Sequence, residues 1–298
     1  MDDHDLGLAH DLAMLERRLL QRRRLLGWMA AGGGALMLEA CSGGGGSGSL
    51  AGSSSTTTTT TTGTGTTGTG TTGTGTTSSS ACATATPEET NGPYPSDGSN
   101  MAQGTISNVL TATGVVRSDI RSSFGALSGT ADGVQTTLTI KLVNLNAACA
   151  ALAGYAIYIW HADALGRYSL YDLAQQNYLR GVQVTDTIGQ ATFTTVFPGC
   201  YAGRYPHIHF EVYRSLATAT SYANRLLTSQ FAMPRDVASA VYATSAYPTS
   251  ASRLASITTS SDGVFGDNSA AQIAAMTPAL TGSATAGYSG AVTVAIAA

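Results

Sequence analysis

An all-β sandwich is the fold class predicted, on three observations. Several segments of 7 to 10 residues carry β-forming side chains at a period of two, turn signals separate them, and helical periodicity is weak outside the N-terminal segment. In chain order, TTLTIKLVNL (136–145) alternates, with Leu138, Ile140 and Leu142 on one face and Thr139, Lys141 and Val143 on the other. The polar turn Asn144-Leu145-Asn146 follows. GYAIYIWHA (154–162) is a dense apolar run suited to a strand buried on both faces, and Ala164-Leu165-Gly166 breaks it. Thr187-Ile188-Gly189 precedes QATFTTVFP (190–198), and Pro198-Gly199 separates that strand from HIHFEVY (207–213). Short strands punctuated in this way predict two packed sheets. SAVYATSAYPTSASRLAS (239–256) is expected to hold one short helix or an irregular excursion.

The 298 residues divide unequally. Residues 43–81 are almost wholly Gly, Ser and Thr, which bury too little surface to offset their ordering entropy, and read as a flexible linker. Residues 82–298 have the size of one domain with a core. Residues 1–42 read as a targeting segment: Arg22-Arg23-Arg24-Leu25-Leu26 matches the twin-arginine pattern, and the apolar run Leu25–Leu38 is short for a membrane span of ~20 residues. Leu38-Glu39-Ala40-Cys41 is similar to a lipoprotein processing site, with Glu39 a departure. Lipid on Cys41 is expected, with an uncleaved anchor or simple cleavage near Ala40 as alternatives. Each version places the domain outside the cytoplasm, periplasmic or at the cell surface. Net charge is −3 and Lys141 is the sole lysine, so no basic stripe serves a nucleic-acid backbone.

With Cys41 lipidated, three cysteines enter an oxidising compartment. Cys82 opens the domain and Cys149 lies in a turn before a strand, which favours that pair and leaves Cys200 as a small buried residue.

The segment PGCYAGRYPHIHF (198–210) places two of five histidines one residue apart. In an extended strand His207 and His209 share a face about 7 Å apart, at ~3.3 Å per residue, while Ile208, Phe210 and Val212 face the core. Such a pair suits a metal, or simply hydrogen-bonds at a strand end. Further ligands are few. His161 is the remaining domain histidine, Cys200 the nearest thiol, and Asp163, Asp172, Asp186 and Glu211 are scattered. Tyrosine is abundant nearby: Tyr155, Tyr158, Tyr168, Tyr171, Tyr178, Tyr201, Tyr205 and Tyr213. Phenolate is a hard anionic donor that favours ferric iron, its pKa of ~10 lowered by the metal's charge. Taken singly, most of these tyrosines read as strand-packing residues.

Together, YIWHADALGRYSLYD (158–172), YLRGVQVTDTIGQATFTTVFPGCYAGRYPHIHFEVY (178–213) and TPEETNGPYPSDG (86–98) resemble the intradiol ring-cleavage dioxygenases of the catechol and protocatechuate superfamily, particularly single-domain secreted members. The likeness runs from about Thr86 to about Pro234. It implies a prealbumin- or immunoglobulin-like β-sandwich with long active-site loops, and non-haem Fe(III) held by Tyr168, Tyr201, His207 and His209. It implies that Arg204 stabilises charge on the substrate and that Tyr201 leaves the metal to accept a substrate proton. Gln230 matches, more loosely, a glutamine bordering the substrate pocket. The implied reactants are a small aromatic diol of the catechol type and O2, the product a muconate-type diacid. No N-terminal helical dimerisation segment is present, and the Tyr201–His207 spacing is short; these departures bear on oligomeric state and on the pocket rim.

Two other readings stay open at this level. One is an iron- or aromatic-binding surface lipoprotein without turnover. The other is a zinc-dependent hydrolase in which His161 or Glu211 joins His207 and His209. Arg204 likewise has a plainer reading, a surface ion pair with Glu211.

Overall fold

In the computed structural model of the chain, residues 82–298 are described. The targeting segment, Cys41 and the linker of residues 43–81 lie outside the described residues. The strands are β1 (Asp97–Ala102), β2 (Thr105–Asn108), β3 (Gln135–Asn144), β4 (Ala150–Ala151), β5 (Ala156–Trp160), β6 (Arg180–Val184), β7 (Gln190–Val196), β8 (His207–Tyr213) and β9 (Arg225–Ala232), followed by helices α1 (Arg235–Tyr242), α2 (Ser250–Ala255) and α3 (Ala270–Met276), and then β10 (Ala279–Ser283) and β11 (Gly287–Ile296). One sheet runs β10-β11-β3-β4, with β7 also paired to β3; the other runs β6-β5-β8-β9; β1 and β2 form a separate hairpin. This is the expected all-β sandwich.

The alternation expected in β3 is realised. Leu138, Ile140 and Leu142 are fully buried and meet Phe193 of β7 and Val292 and Val294 of β11. From the other sheet, Ile157, Ile159, Ile208, Phe210 and Val212 enter the same cluster. The two sheets therefore enclose one core, and a buried side chain of this size contributes ~1.5–3 kcal/mol. β11 lies parallel to β3, Tyr288 opposite Thr136 through Ile296 opposite Asn144.

β5 and β8 are buried along their whole length. Their outer faces meet a second apolar cluster, in which Tyr158, Trp160 and Tyr213 pack with Val109, Leu110, Val115 and Tyr168. Loops roof this face of the sheet, and Arg180 of β6 ties the roof down. Its Nη1 donates to the Pro95 carbonyl and to Tyr158 Oη, its Nη2 to the carbonyls of Tyr94 and Ser169, and its Nε to Ser169 Oγ. The segment entering the roof is anchored first to β11, where Thr86 N donates to the Ala295 carbonyl, and then to β9, where Glu89 N donates to the Thr228 carbonyl.

Helix content departs from expectation. Three short helices connect β9 to β10; the segment 239–256, expected to hold one helix or an irregular excursion, holds α2 and the end of α1, and α3 lies beyond it. Each spans six to eight residues, too short to form alone, so its stability comes from packing rather than from a legible period. In α1 the residues Val237, Ala238, Val241 and Tyr242 are buried; in α3 Ser269 caps the first turn by accepting from Gln272 N. Among the described residues no helix is long and apolar enough to cross a membrane. Cys82 and Cys149 form a disulfide with Cα atoms 5.8 Å apart, while Cys200 is a buried free thiol, which matches the expected pairing.

Candidate active site

The site lies on the outer, roofed face of the β6-β5-β8-β9 sheet. Register in β8 sets its floor: His209 sits opposite Trp160 of β5 and Gln230 of β9, and His207 opposite Ala232. Trp160 stacks flat on the His209 ring, centroids 4.8 Å apart at 5°. His207 Nδ1 lies 2.6 Å from the Tyr205 carbonyl. That contact places a proton on Nδ1 and leaves the Nε2 lone pair facing inward.

Two loops bring tyrosines over this floor. Tyr168 follows a turn in which Gly199 N donates to the Asp163 carbonyl. Gly199 is required there, since a Cβ would stand 2.5 Å from that carbonyl oxygen. Gly166, at φ +84°, lets the same loop approach Tyr201, whose Cβ would lie 3.0 Å from an added methyl group. Asp172 Oδ2 accepts from Tyr168 N at 2.6 Å and fixes the backbone behind the ring, while Tyr94 packs on the Tyr168 ring at 4.8 Å.

Four donor atoms converge. Tyr168 Oη is 3.4 Å from His207 Nε2 and 3.2 Å from His209 Nε2. Tyr201 Oη is 3.3 Å from His207 Nε2. The two Nε2 atoms are 3.0 Å apart. Burial, reinforced by the Arg204 charge, lowers the His207 pKa to about 3. Burial, then the charges of His207 and Arg204, lowers that of His209 well below its ordinary value. Both imidazoles are therefore neutral and present lone pairs. Two phenol oxygens and two imidazole nitrogens, all but that of half-buried Tyr201 on buried residues and linked by contacts within hydrogen-bond distance, form a donor set that a hard trivalent cation satisfies better than protons do. The residues fit a ferric ion.

The other candidates are engaged elsewhere. His161 Nε2 is 2.7 Å from Thr195 Oγ1 and its Nδ1 2.9 Å from the Ala162 carbonyl; burial lowers its pKa to about 4. Tyr171 Oη accepts from Ser96 N and donates to Asn100 Oδ1 in the roof. Asp163 binds Arg167, Asp186 accepts from Gln190 N, and Glu211 accepts from Tyr213 Oη. Cys200 is held in the core, its pKa raised to about 12 by burial. Among the described residues no group of three or more His, Cys, Asp or Glu converges as a metal site. The third zinc ligand that a hydrolase would take from His161 or Glu211 is thus not supplied.

Arg204 is buried, and its partner is Asp262 rather than Glu211. Its Nη2 also donates to Gln230 Oε1 at 2.7 Å, and Gln230 Nε2 donates to the Thr90 carbonyl. Gln230 thus borders the site from β9 and meets it through Arg204. Asp262 was absent from the sequence reading. The only local signal is the turn-forming Ser261-Asp262-Gly263, beyond the Pro234 limit of the resemblance.

Residues 121–262 match the family model described as Dioxygenase. That segment, a little under half of the chain, is similar to the dioxygenase family. Among solved structures, the dioxygenase Tetur07g02040 is 25% identical at a TM-score of 0.54, with 72% of this chain and 94% of that chain covered. An intradiol ring-cleavage dioxygenase from Tetranychus urticae is 24% identical at a TM-score of 0.53, with the same coverage. No curated protein matches. The match extends past Pro234 and takes in α1, α2 and Asp262.

Proposed function

We propose that this dioxygenase uses Fe(III) and O2 to cleave a catechol-type aromatic diol between its two hydroxylated carbons, giving a muconate-type diacid that retains both atoms of O2. The observation that carries the reading is the convergence of Tyr168 Oη, Tyr201 Oη, His207 Nε2 and His209 Nε2, linked by four contacts of 3.0–3.4 Å. These four would hold the metal. Ferric iron, when bound, would supply a Lewis-acidic centre for both catechol oxygens and the electron-accepting capacity that opens the ring to O2.

The protein's own groups have separable tasks. Tyr201 is half-buried, whereas Tyr168 is buried, so the Tyr201 oxygen is the one placed to accept a proton from a catechol hydroxyl. Arg204 bears on both imidazoles electrostatically; its fixed positive charge would stabilise negative charge growing on the ring. The loop roof and Trp160 exclude bulk water, which strengthens that interaction. Export is part of the proposal. It rests on residues 1–42, with Cys41 as lipid anchor, and the Cys82–Cys149 disulfide supports an oxidising compartment.

Oxygen uptake over a panel of catechols, with products identified and iron assayed on the same samples, tests the proposal. The iron-loaded protein should be wine-red from tyrosinate-to-iron charge transfer and should consume one O2 per catechol. A protein that shifts its spectrum with several catechols yet consumes no oxygen is a binding protein, and the proposal fails.

A further inference from the structure

We infer that Asp262 is a positioning residue that holds the Arg204 guanidinium in one orientation beside the Tyr168–Tyr201–His207–His209 cluster. The inference rests on the role proposed above for Arg204.

Asp262 and Arg204 are 58 positions apart and meet deep in the protein. Arg204 Nε donates to Asp262 Oδ2 at 3.0 Å, with both side chains almost wholly inaccessible. The same oxygen accepts from Tyr205 N at 2.6 Å, the backbone amide next to Arg204. The other oxygen, Oδ1, accepts from Val264 N at 2.8 Å and Phe265 N at 3.0 Å. Gly266 N donates to the Asp262 carbonyl, closing the turn beneath it. The carboxylate is therefore fixed by three backbone amides before it meets the arginine. At a second nitrogen of the guanidinium, Nη2 is held by Gln230 Oε1 at 2.7 Å. A planar group held at Nε from one side and at Nη2 from another cannot rotate in its plane. Lysine, with one donor centre, cannot make both contacts.

Burial alone would push the Asp262 carboxyl up. The Arg204 charge and the amides of Tyr205 and Phe265 outweigh it, and the pKa lies below the ordinary value. The carboxylate therefore stays ionised at neutral pH and keeps its grip on Nε. The consequence for the reaction is preorganisation: a charge already oriented when the ring becomes negative need not reorganise then. A plainer role exists, in which Asp262 only pins the turn at 262–266. The two make different predictions, because pinning a turn does not require Arg204.

Asp262→Asn is the informative change, since an amide matches the carboxylate in shape but opposes a donor NH2 to donors on one side. Turnover should fall about ten- to a hundredfold in kcat with KM changed by less than about threefold, the pattern of a contact made in the transition state. Iron content should equal that of the unmutated protein. In an Arg204→Ala background, Asp262→Asn should cost less than about a further twofold, because the group it positions is gone. An equal cost in both backgrounds overturns the inference. A readout independent of turnover is the 1H–15N signal of Arg204 Nε–H in iron-free protein, assigned by its loss in Arg204→Lys. It should exchange slowly with solvent in the unmutated protein and rapidly in Asp262→Asn. Fast exchange in the unmutated protein overturns the inference, and this measurement decides it even if Asp262→Asn fails to fold. If the unmutated, iron-loaded protein consumes no oxygen, the functional proposal fails while the arginine signal still decides the role of Asp262.

Discussion

Tyr168 and Tyr171 are three residues apart, and replacing each by phenylalanine should produce opposite results in two assays. Tyr171 Oη accepts from Ser96 N at 2.9 Å and donates to Asn100 Oδ1 at 2.6 Å. Ser96 is fully buried, so Tyr171→Phe strands its amide at a cost of ~1–3 kcal/mol. Asn100 is part-exposed and turns to water at less than ~1 kcal/mol. A total of ~1–4 kcal/mol, at ~2–4 °C per kcal/mol for a domain of this size, lowers Tm by about 2–16 °C. The ring, and with it the 5.1 Å contact with Tyr94, is retained. Tyr168→Phe in iron-free protein removes longer contacts with two neutral imidazoles, at 3.2 and 3.4 Å, and should cost ~1 kcal/mol or less. The visible spectrum should respond the other way. Tyr168→Phe removes one phenolate and shifts the iron band strongly, while Tyr171→Phe leaves it in place. The assay is calorimetry on iron-free protein beside absorption spectra of iron-loaded protein. A band that follows Tyr171, or a Tyr171→Phe variant that melts with the unmutated protein, refutes the placement of these side chains.

Three further outcomes are expected. Arg204→Ala leaves buried Asp262 without its cation and should destabilise the domain by ~3 kcal/mol, the low end for a broken buried pair because three amides still hold the carboxylate; a depressed carboxyl contributes stability that is fully present above its unfolded pKa and lost as pH falls through the folded one, so calorimetry should show this deficit narrowing only below about pH 4, and a deficit that stays constant there would contradict the pairing. Replacing Cys82 and Cys149 by serine opens a link across 67 residues, and denaturant titration should register a loss of ~4 kcal/mol. Glu211 is buried beside the charge of Asp97, and both raise its pKa well above the ordinary value; the proton it keeps in the folded state makes stability fall as pH rises beyond its unfolded pKa, so Glu211→Gln should flatten the melting profile above about pH 4.

The parts of the fold legible in the sequence were those with an uninterrupted physical signature. β3 alternates because one face meets the core and the other meets water, and β5 reads as continuously apolar because loops cover its second face. β8 carried both messages, with Phe210 and Val212 turned inward and His207 and His209 turned to the roof. The helices between β9 and β10 were not legible because helices of six to eight residues complete only about two turns, and packing decides them. The C-terminal strand β11 is not legible in the sequence, since its alternation of Gly, Ala, Thr and Val is weak and its parallel pairing with β3 joins residues about 150 positions apart.

The site divides along the same line. His207 and His209 could be paired from spacing alone, because two residues on one strand face have a fixed separation. Choosing Tyr168 over Tyr171 needed the resemblance, since either phenol could reach a metal from a loop whose path spacing does not determine. Asp262 gave no signal of its own. An aspartate before a glycine is the ordinary mark of a turn, and this one does make a turn, accepting from Val264 N and Phe265 N with one oxygen. What distinguishes it is the second oxygen, which the fold turns inward onto Arg204 Nε and Tyr205 N. That contact depends on α1 and α2 carrying the chain from Arg235 to Ala255 and the turn at 262 returning to Arg204. The proposed ligand set is thus written locally, and the charge proposed to serve it is oriented from a distance. A change in the α1–α2 connection that leaves all four metal-facing side chains untouched should therefore lower kcat while sparing iron content.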